Sequence, residues 1–548
     1  MISFRNAQSG FAPNVPYFPI RPKAALWLEA VISPVDRWFN RIYGSRYNPL
    51  YQSGTLAVLF LLITVATGIY QLIFYKIATP YESVAGLEAQ WYAGRWIRAM
   101  HSYSGDGMIV SVAVHVLRML MQGKTWGARV LAWLTGVGLV SILFFSAWTG
   151  FVLVWDQQGQ MIAMEGAVLI DVVPIFSEPI QRSFTSSEGP AVTFFFINLL
   201  LHMVFPVALL LLVWLHTFRV ARPRFLPPRR LTLATVLCMV VLSVALPLGM
   251  LPKADTLQMF GEVTVDIFYA WWLLLRGILS PPQIIGVVLG LGVLGLSVPL
   301  WWRPRKGEPI ESSGVHQPLC TGCTQCYLDC PYGAIRMIDA DEDRTDTDKV
   351  ATVEPSLCVS CGICAGSCAP MQVGPPQRTG RDHLHNAQHY AEEVPLDERT
   401  VVVMGCAQGP LPVLEASAPP DTVFYPLHCA GAGHTSSVEH LIRKGVAGVF
   451  LVTCPERDCF YREGARWLRE RIYEDREAEL LDRVDKRRVL LGAYSKGEFR
   501  EARGELERFR ASLTNLGERP VRESTPASDP DCEPREVVNA SRWAWWRA

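Results

Sequence analysis

Two kinds of residue in this 548-residue chain are placed to do metal chemistry: four histidines in its first half, and twelve cysteines between positions 320 and 459. The histidines form two identical pairs, His101 with His115 and His202 with His216, each with thirteen residues between its members. A fourteen-residue step on an α-helix advances about 21 Å and returns to nearly the same face. Both pairs lie in apolar runs long enough to span a membrane. Two such helices facing one another can clamp two stacked hemes by bis-histidine ligation, one near each membrane surface. Ionisable groups inside membrane spans are costly and rare, and the repeated spacing has no packing explanation.

The cysteines repeat as well. Residues 320–331 read CTGCTQCYLDCP and 358–370 read CVSCGICAGSCAP, two Cys-x2-Cys-x2-Cys-x3-Cys runs. This is the bacterial two-cluster ferredoxin spacing, in which the fourth Cys of each run ligates the other cluster. One [4Fe-4S] cluster is expected on Cys320, Cys323, Cys326 and Cys368, the other on Cys358, Cys361, Cys364 and Cys330. Pro331 follows its Cys as the pattern requires; in the second run Ala369 intervenes before Pro370. The gap between Cys330 and Cys358 fits a hairpin inserted between the two halves.

The elements that must position these ligands divide the chain in two. The apolar half precedes residue 303, and the Cys-rich half follows it. Apolar windows at 54–75, 100–121, 130–155, 194–219, 230–251 and 282–302 predict six membrane helices. The linkers between the second and third and between the fourth and fifth are basic (Arg118, Lys124, Arg129; Arg219, Arg222, Arg224, Arg229, Arg230), as is the exit Arg303, Arg305, Lys306. The opposite loops carry Glu82, Glu88, Asp156, Glu165, Asp171, Glu178, Glu188, Asp255, Glu262 and Asp266. By the positive-inside rule, the N-terminus and the soluble half are cytoplasmic in an inner (plasma) membrane. The second and fourth spans then run in the same direction, so His101 pairs with His202 on the outer heme and His115 with His216 on the inner one. The first 50 residues lack the apolar core of a cleavable signal, and 24–43 reads as an amphipathic helix lying on the membrane surface. Lys plus Arg equal Asp plus Glu at 51 each, so net charge says nothing about partners; no nucleic-acid partner is expected. Cys238, in a span, reads as a small core residue.

The segment WIRAMHSYSGDGMIVSVAVHVLRM resembles the second helix of the cytochrome b/b6 family, GFVLVWDQ at 150–157 the segment after its third helix, and HMVFP at 202–206 its fourth helix. The resemblance covers about residues 35–220. It implies that Arg98 and Arg118 approach heme propionates, and that Gly68, Gly105 and Gly136 let a heme approach the backbone. It also implies a homodimer through this half. Residues 230–302 resemble the subunit that follows cytochrome b6, whose outer loop carries Pro-Glu-Trp-Tyr with a Glu that takes a proton from quinol. The equivalent here is Asp266-Ile267-Phe268-Tyr269, which places Ile267 at the Glu position and leaves Asp266 and Tyr269 as the quinone-site candidates. No Cys-x-x-Cys-His motif occurs, so the hemes are expected to be b-type.

Residues 400–515 alternate strand-like and helix-like segments after a charged, Pro-rich linker at about 371–398. TVVVMGCA and GVFLVTCP each end at a Cys, while SVEHLIRKGVAG and YREGARWLRERIYEDREAELLDRV have helical periodicity. An α/β fold places its sites at the carboxyl ends of strands, so Cys406, Cys429, Cys454 and Cys459 are candidate ligands of one further centre. The stretch HCAGAGHTSSVEHLIRKGVAGVFLVTCPERDC resembles the delta subunit of methyl-viologen-reducing hydrogenase, which implies a [2Fe-2S] cluster. That family's first element carries a Cys-x-x-Cys pair, and here Cys406 stands alone; a cluster-free docking domain is the alternative. His428 and His434 are expected at the surface. The tail 516–548, with Cys532, reads as disordered.

The expected architecture is therefore multidomain. An N-terminal interfacial segment (1–50) precedes an all-α transmembrane bundle of cytochrome b type (51–225) and two further spans (226–303). An α+β dicluster ferredoxin (304–375) and a small α/β domain (399–515) follow. The expected function is electron transfer between a cytoplasmic low-potential flavoprotein or iron-sulfur partner, docked on the 400–515 domain, and membrane quinone. The expected path runs from that domain's cluster through the two cubanes to the inner heme. Two alternatives remain: a quinol-oxidising core working with a Rieske partner, and a scaffold that recruits a flavoprotein complex to the membrane. No Gly-rich dinucleotide fingerprint is present, so substrate chemistry belongs to a partner.

Overall fold

The computed structural model describes residues 22–173, 178–184, 190–218, 223–258, 263, 265–303, 311–407, 409–417 and 419–516. The tail beyond 516 with Cys532, and Arg219, Arg222, Glu188, Glu262, Arg305 and Lys306, lie outside the described residues.

The N-terminal half is helical. An amphipathic helix α1 (Lys23–Tyr47) leads into α2 (Ser53–Phe74), short α3 (Pro80–Ala89), α4 (Gly94–Met121), α5 (Val130–Val154) and α6 (Gln157–Ile170). Then come α7 (Val192–Thr217), α8 (Arg229–Ala245), one-turn α9 (Trp272–Leu275) and α10 (Pro281–Trp301). Helix α2 packs along α4, α5 along α7, and α8 along α4. The chain is a multi-pass membrane protein with five candidate spans, α2, α4, α5 with its preceding turn, α7 and α10. Six were expected. The sixth window, 230–251, forms only the 17-residue α8, because the chain leaves the helix at Leu246, just before Pro247. At that end Tyr103 donates to the Leu246 carbonyl at 2.6 Å and Arg98 to that of Leu248 at 3.2 Å. Cys238 is exposed on α8, not in a core.

The second half is an α/β region. β1 (Gly314–Val315) pairs antiparallel with β4 (Val373–Gly374), and between them lie α11 (Gln325–Asp329), the hairpin β2 (Ile335–Asp339) and β3 (Lys349–Val353), and α12 (Ile363–Gly366). The hairpin fills the gap between the Cys runs, as their spacing predicts. The expected linker instead contains α13 (Gly380–Glu393), capped by Thr379 and Asp382, with Ala387 and Tyr390 fully buried. Its composition hides it, since only those two and one His face inward.

β5 (Val401–Cys406), α14 (Leu411–Glu415), β6 (Thr422–Leu427), α15 (Thr435–Arg443), β7 (Gly448–Thr453), α16 (Gly464–Tyr473), β8 (Val489–Ala493) and α17 (Phe499–Thr514) complete the chain. The four strands form a parallel sheet in the order β6-β5-β7-β8, with Val401 opposite both Thr422 and Gly448. Both faces are covered, which is why the strands read as continuous apolar runs. Helices α13, α15 and α16 pack on the face holding Val402, Met404 and Cys406; α14 and α17 pack on that of Val401 and Val403. One apolar core joins the ferredoxin-like part to this domain through Cys429, Tyr461 and Trp467.

Candidate metal centres

The two histidine pairs meet as their spacing requires. The ring centroids of His101 and His202 are 6.3 Å apart, and those of His115 and His216 are 6.5 Å apart. A metal ion bonded to one nitrogen of each ring at about 2 Å holds facing imidazole centroids about 6 Å apart. The other ring nitrogen is tied back to the helix behind it. His101 Nδ1 lies 3.0 Å from the Thr64 carbonyl and 3.1 Å from Thr67 Oγ1; His202 Nδ1 lies 2.9 Å from the Ser146 carbonyl and 3.2 Å from Thr149 Oγ1. His216 Nδ1 meets Thr135 Oγ1 at 3.0 Å. An Nδ1–H donated to a carbonyl leaves the Nε2 lone pair for a metal and fixes the ring plane. The facing rings and their spacing fit hemes.

Glycine sets how near each ring can sit to its supporting helix. A Cβ at Gly54 would lie 3.0 Å from His115, at Gly68 3.1 Å from His101, at Gly136 3.4 Å from His216 and at Gly150 2.9 Å from His202. Gly68 and Gly136 therefore stand behind ligand rings. Gly54 and Gly150 complete the set and were missed. The signal was present: Ser53-Gly54, Thr67-Gly68, Thr135-Gly136 and Thr149-Gly150 repeat the dipeptide at the same fourteen-residue step as the histidines.

The other membrane candidates are placed as follows. Arg98 pairs with Glu88 at 2.9 Å, and Arg118 with Asp36 of α1 at 2.9 Å and with Asp458. Asp266 Oδ1 accepts the backbone N–H groups of Phe268 and Tyr269 at 2.9 and 2.7 Å, holding a local turn. Tyr269 is buried, and its hydroxyl donates to the Gly105 carbonyl at 2.5 Å. Ile267 is exposed.

In the soluble half the cysteines sort into three sets. Cys368 interacts electrostatically with Cys320 and Cys323, Cys326 with those three and with Cys364, Cys330 with Cys358, and Cys361 with Cys364, Cys330 and Cys358. The two runs thus adjoin, with Cys368 near the first run and Cys330 near the second, as crossed pairing requires. Backbone N–H groups of Ala351, Ala334, Ser313 and Gln372 point at the sulfurs of Cys320, Cys330, Cys358 and Cys368 at 3.3 to 3.5 Å, the donors a buried thiolate cluster requires. Cys406 ends β5, Cys429 follows β6, Cys454 follows β7, and Cys459 closes the loop after it; all four are buried and line one small pocket. Among the described residues no three His, Cys, Asp or Glu side chains close around a single ion. Thiolates that wrap a cluster with its own iron and sulfide stand further apart than ligands of one ion.

The order of these sets differs from the expected one. The four-Cys set of the α/β domain sits against the end of the helical bundle that bears His115. Gln122 donates to Asp458 at 2.6 Å, Lys124 to the Cys459 carbonyl at 3.4 Å, and Arg129 to the Phe460 carbonyl at 3.2 Å and to Tyr332 at 2.9 Å. Burial, with Arg129 beside it, pulls the Lys124 ammonium down to about 7. Behind this set Cys429 faces Cys361, and a Cβ at Gly362 would touch Ala432 at 3.1 Å. The set containing Cys320 and Cys323 is the most exposed of the three. His428 and His434 are buried, not superficial: His428 bonds Tyr461 at 2.6 Å, and His434 reaches the Cys368 carbonyl at 3.1 Å. Their surroundings come from elements distant in sequence.

Comparisons with known proteins agree with this division. Residues 40–223 match the cytochrome b/b6/petB family, 319–370 the 4Fe-4S dicluster domain, and 401–517 the methyl-viologen-reducing hydrogenase delta subunit. Cytochrome b6 of Synechococcus sp. (strain CC9605) is 33% identical over 143 residues, 23% of this chain and 66% of that protein; the protein of strain RCC307 is 32% identical over the same length and shares. A solved structure titled Hyperthermophilic respiratory Complex III aligns with 50% of this chain and 82% of its own, at 16% identity and a TM-score of 0.36. Membership of the first family implies hemes, and the second domain implies two [4Fe-4S] clusters. The chain is a fusion of a cytochrome b/b6 domain, a 4Fe-4S dicluster domain and a methyl-viologen-reducing hydrogenase delta-subunit domain.

Proposed function

We propose that this chain is a membrane-bound electron-transfer protein that links a cytoplasmic low-potential redox partner to the quinone pool. It would hold two b hemes on His101/His202 and His115/His216, two [4Fe-4S] clusters on the crossed Cys sets, and one [2Fe-2S] cluster on Cys406, Cys429, Cys454 and Cys459. These groups supply one-electron transfer when bound; the protein sets their distance, exposure and potential. The observation that carries this reading is the unbroken file of ligand sets. Cys361 faces Cys429, and the loop holding Cys459 bonds to Arg118, three residues beyond His115 on α4.

The basic residues at that end of the bundle support a cytoplasmic placement of the soluble half. Buried thiolate clusters suit low potentials, which supports flow towards quinone. Reverse flow would have to work with or against the membrane potential, worth about 2.3 kcal/mol per charge per 100 mV.

A redox titration of the purified chain in detergent tests this, with hemes followed optically, clusters by low-temperature EPR, and a quinol analogue added to the oxidised protein. Reduction of hemes with clusters left oxidised is the expected result. Reduction of the clusters by quinol without a membrane potential would overturn the direction. Failure to incorporate both hemes and clusters would overturn the reading itself.

A further inference from the structure

The soluble half presents one surface that the file of ligand sets does not use. The tip of the β2–β3 hairpin folds over the Cys320–Cys323 loop: Arg344 donates to the carbonyls of Gln317 at 2.5 Å and Cys320 at 2.9 Å, and a Cβ at Gly322 would strike the Lys349 carbonyl. That tip carries six exposed carboxylates, Asp339, Asp341, Glu342, Asp343, Asp346 and Asp348, against two bases, Arg344 and Lys349. Arg344 holds the loop and also pairs with Asp346, so the other five carboxylates carry the rim's negative charge. Leu319, in the loop that Arg344 holds, and Tyr327 and Leu328 of α11, which packs on β2 of the hairpin, are each 46% exposed. Cys320, Cys323 and Cys368 are partly exposed here, whereas all four cysteines of the α/β domain are buried.

We propose that this face, an apolar patch rimmed by the acidic hairpin over the Cys320/Cys323 loop, is the docking site for a soluble redox protein with a basic rim. The proposal deepens the electron-transfer reading and rests on it. It moves the docking site from the 400–515 domain, where the family resemblance put it, to the dicluster part. Charge complementarity selects the occupant: a strongly acidic rim steers a basic partner and repels an acidic one, and the attraction fades with salt. The apolar centre excludes water at the point of closest approach. One electron crosses per encounter, the partner's centre being oxidised by one electron as the iron-sulfur centre is reduced by one, or the reverse.

The test uses the full chain in detergent and, as probe, mitochondrial cytochrome c, whose exposed heme edge is ringed by lysines. Binding is measured by biolayer interferometry at low salt, and carbodiimide cross-links between probe lysines and the chain's carboxylates are mapped by mass spectrometry. The triple variant Asp341→Asn, Glu342→Gln, Asp343→Asn is compared with a charge-matched control, Glu477→Gln, Glu501→Gln, Glu507→Gln, whose residues are exposed in the α/β domain. The expected result is about tenfold weaker binding for the hairpin variant, an unchanged Kd for the control, and cross-links confined to 339–348. Equal weakening in both variants, or in neither, overturns the proposal. A change in oligomeric mass of the hairpin variant with probe binding unmoved also overturns it, because the face would then mate with a second copy. In the same preparation, heme reduction after the clusters are reduced is followed separately. Clusters and hemes that fail to exchange electrons sink the wire reading whatever the probe does.

Discussion

Arg118 and Asp458 form an ion pair that ties the helix bearing His115 to the loop bearing Cys459, three residues from one candidate ligand and one residue from the other. Arg118 also holds Asp36 of α1 at 2.9 Å and stacks over Tyr51 at 4.5 Å. One buried guanidinium thus joins the surface helix, the membrane bundle and the soluble half. Asp458→Asn keeps the shape and removes the charge. It is expected to cost about 2 kcal/mol at this junction, the scale of a charged hydrogen bond. Amides of residues 454–462 would then exchange about thirtyfold faster. Unchanged protection there would show that other contacts hold the loop.

Each histidine pair should fail alone. His115→Leu removes one ligand of the pair nearest the soluble half, and His101→Leu one of the other pair. Each variant is expected to bind half the wild-type heme, and an identical absorption change in both would show that the pairs are not independent sites.

The four glycines behind the rings should show graded effects. An added Cβ meets His202 at 2.9 Å from position 150 but His216 at 3.4 Å from position 136. Gly150→Ala is therefore expected to displace its ring and lower heme occupancy, with overpacking worth about 1–3 kcal/mol. Gly136→Ala should leave heme content near that of the wild type. Heme extraction and quantitation of both variants checks the order.

Burial pushes the Asp36 carboxyl up to about 6, against the pull of Arg118. The folded protein therefore keeps a proton that the unfolded chain releases from about pH 4 upward. The stability this contributes is complete below about pH 4 and lost as pH rises through about 6, a change of about 3 kcal/mol. Protection of α1 amides, corrected for intrinsic rate, is expected to fall over that window. Asp36→Asn, which cannot ionise, should flatten it. A profile in the variant that still falls would assign the dependence to another group.

Both histidine pairs, both Cys runs and the strand-end cysteines were legible because each depends on spacing along one helix or one loop. The parallel sheet was legible at β5 and β7, whose apolar runs are continuous. β6 (TVFYPL) and β8 (VLLGA) are apolar runs too but are not among the expected strands, whereas α13 was hidden by its polar composition. The predicted helix over 461–484 runs only from Gly464 to Tyr473; beyond it the chain turns at Ala478, with φ 57°, and buries Leu480 and Val484 in the sheet's core from a non-helical segment. Local periodicity thus determined which residues could hold metal and how the ligands group. Only the tertiary structure decided that His428 and His434 are inside, and that the Cys459 loop of the α/β domain packs on the end of the helical bundle. Those facts rest on contacts between residues far apart in the chain, from His428 with Tyr461, 33 positions on, to Arg118 with Asp458, 340 positions on, and no period along the chain encodes them.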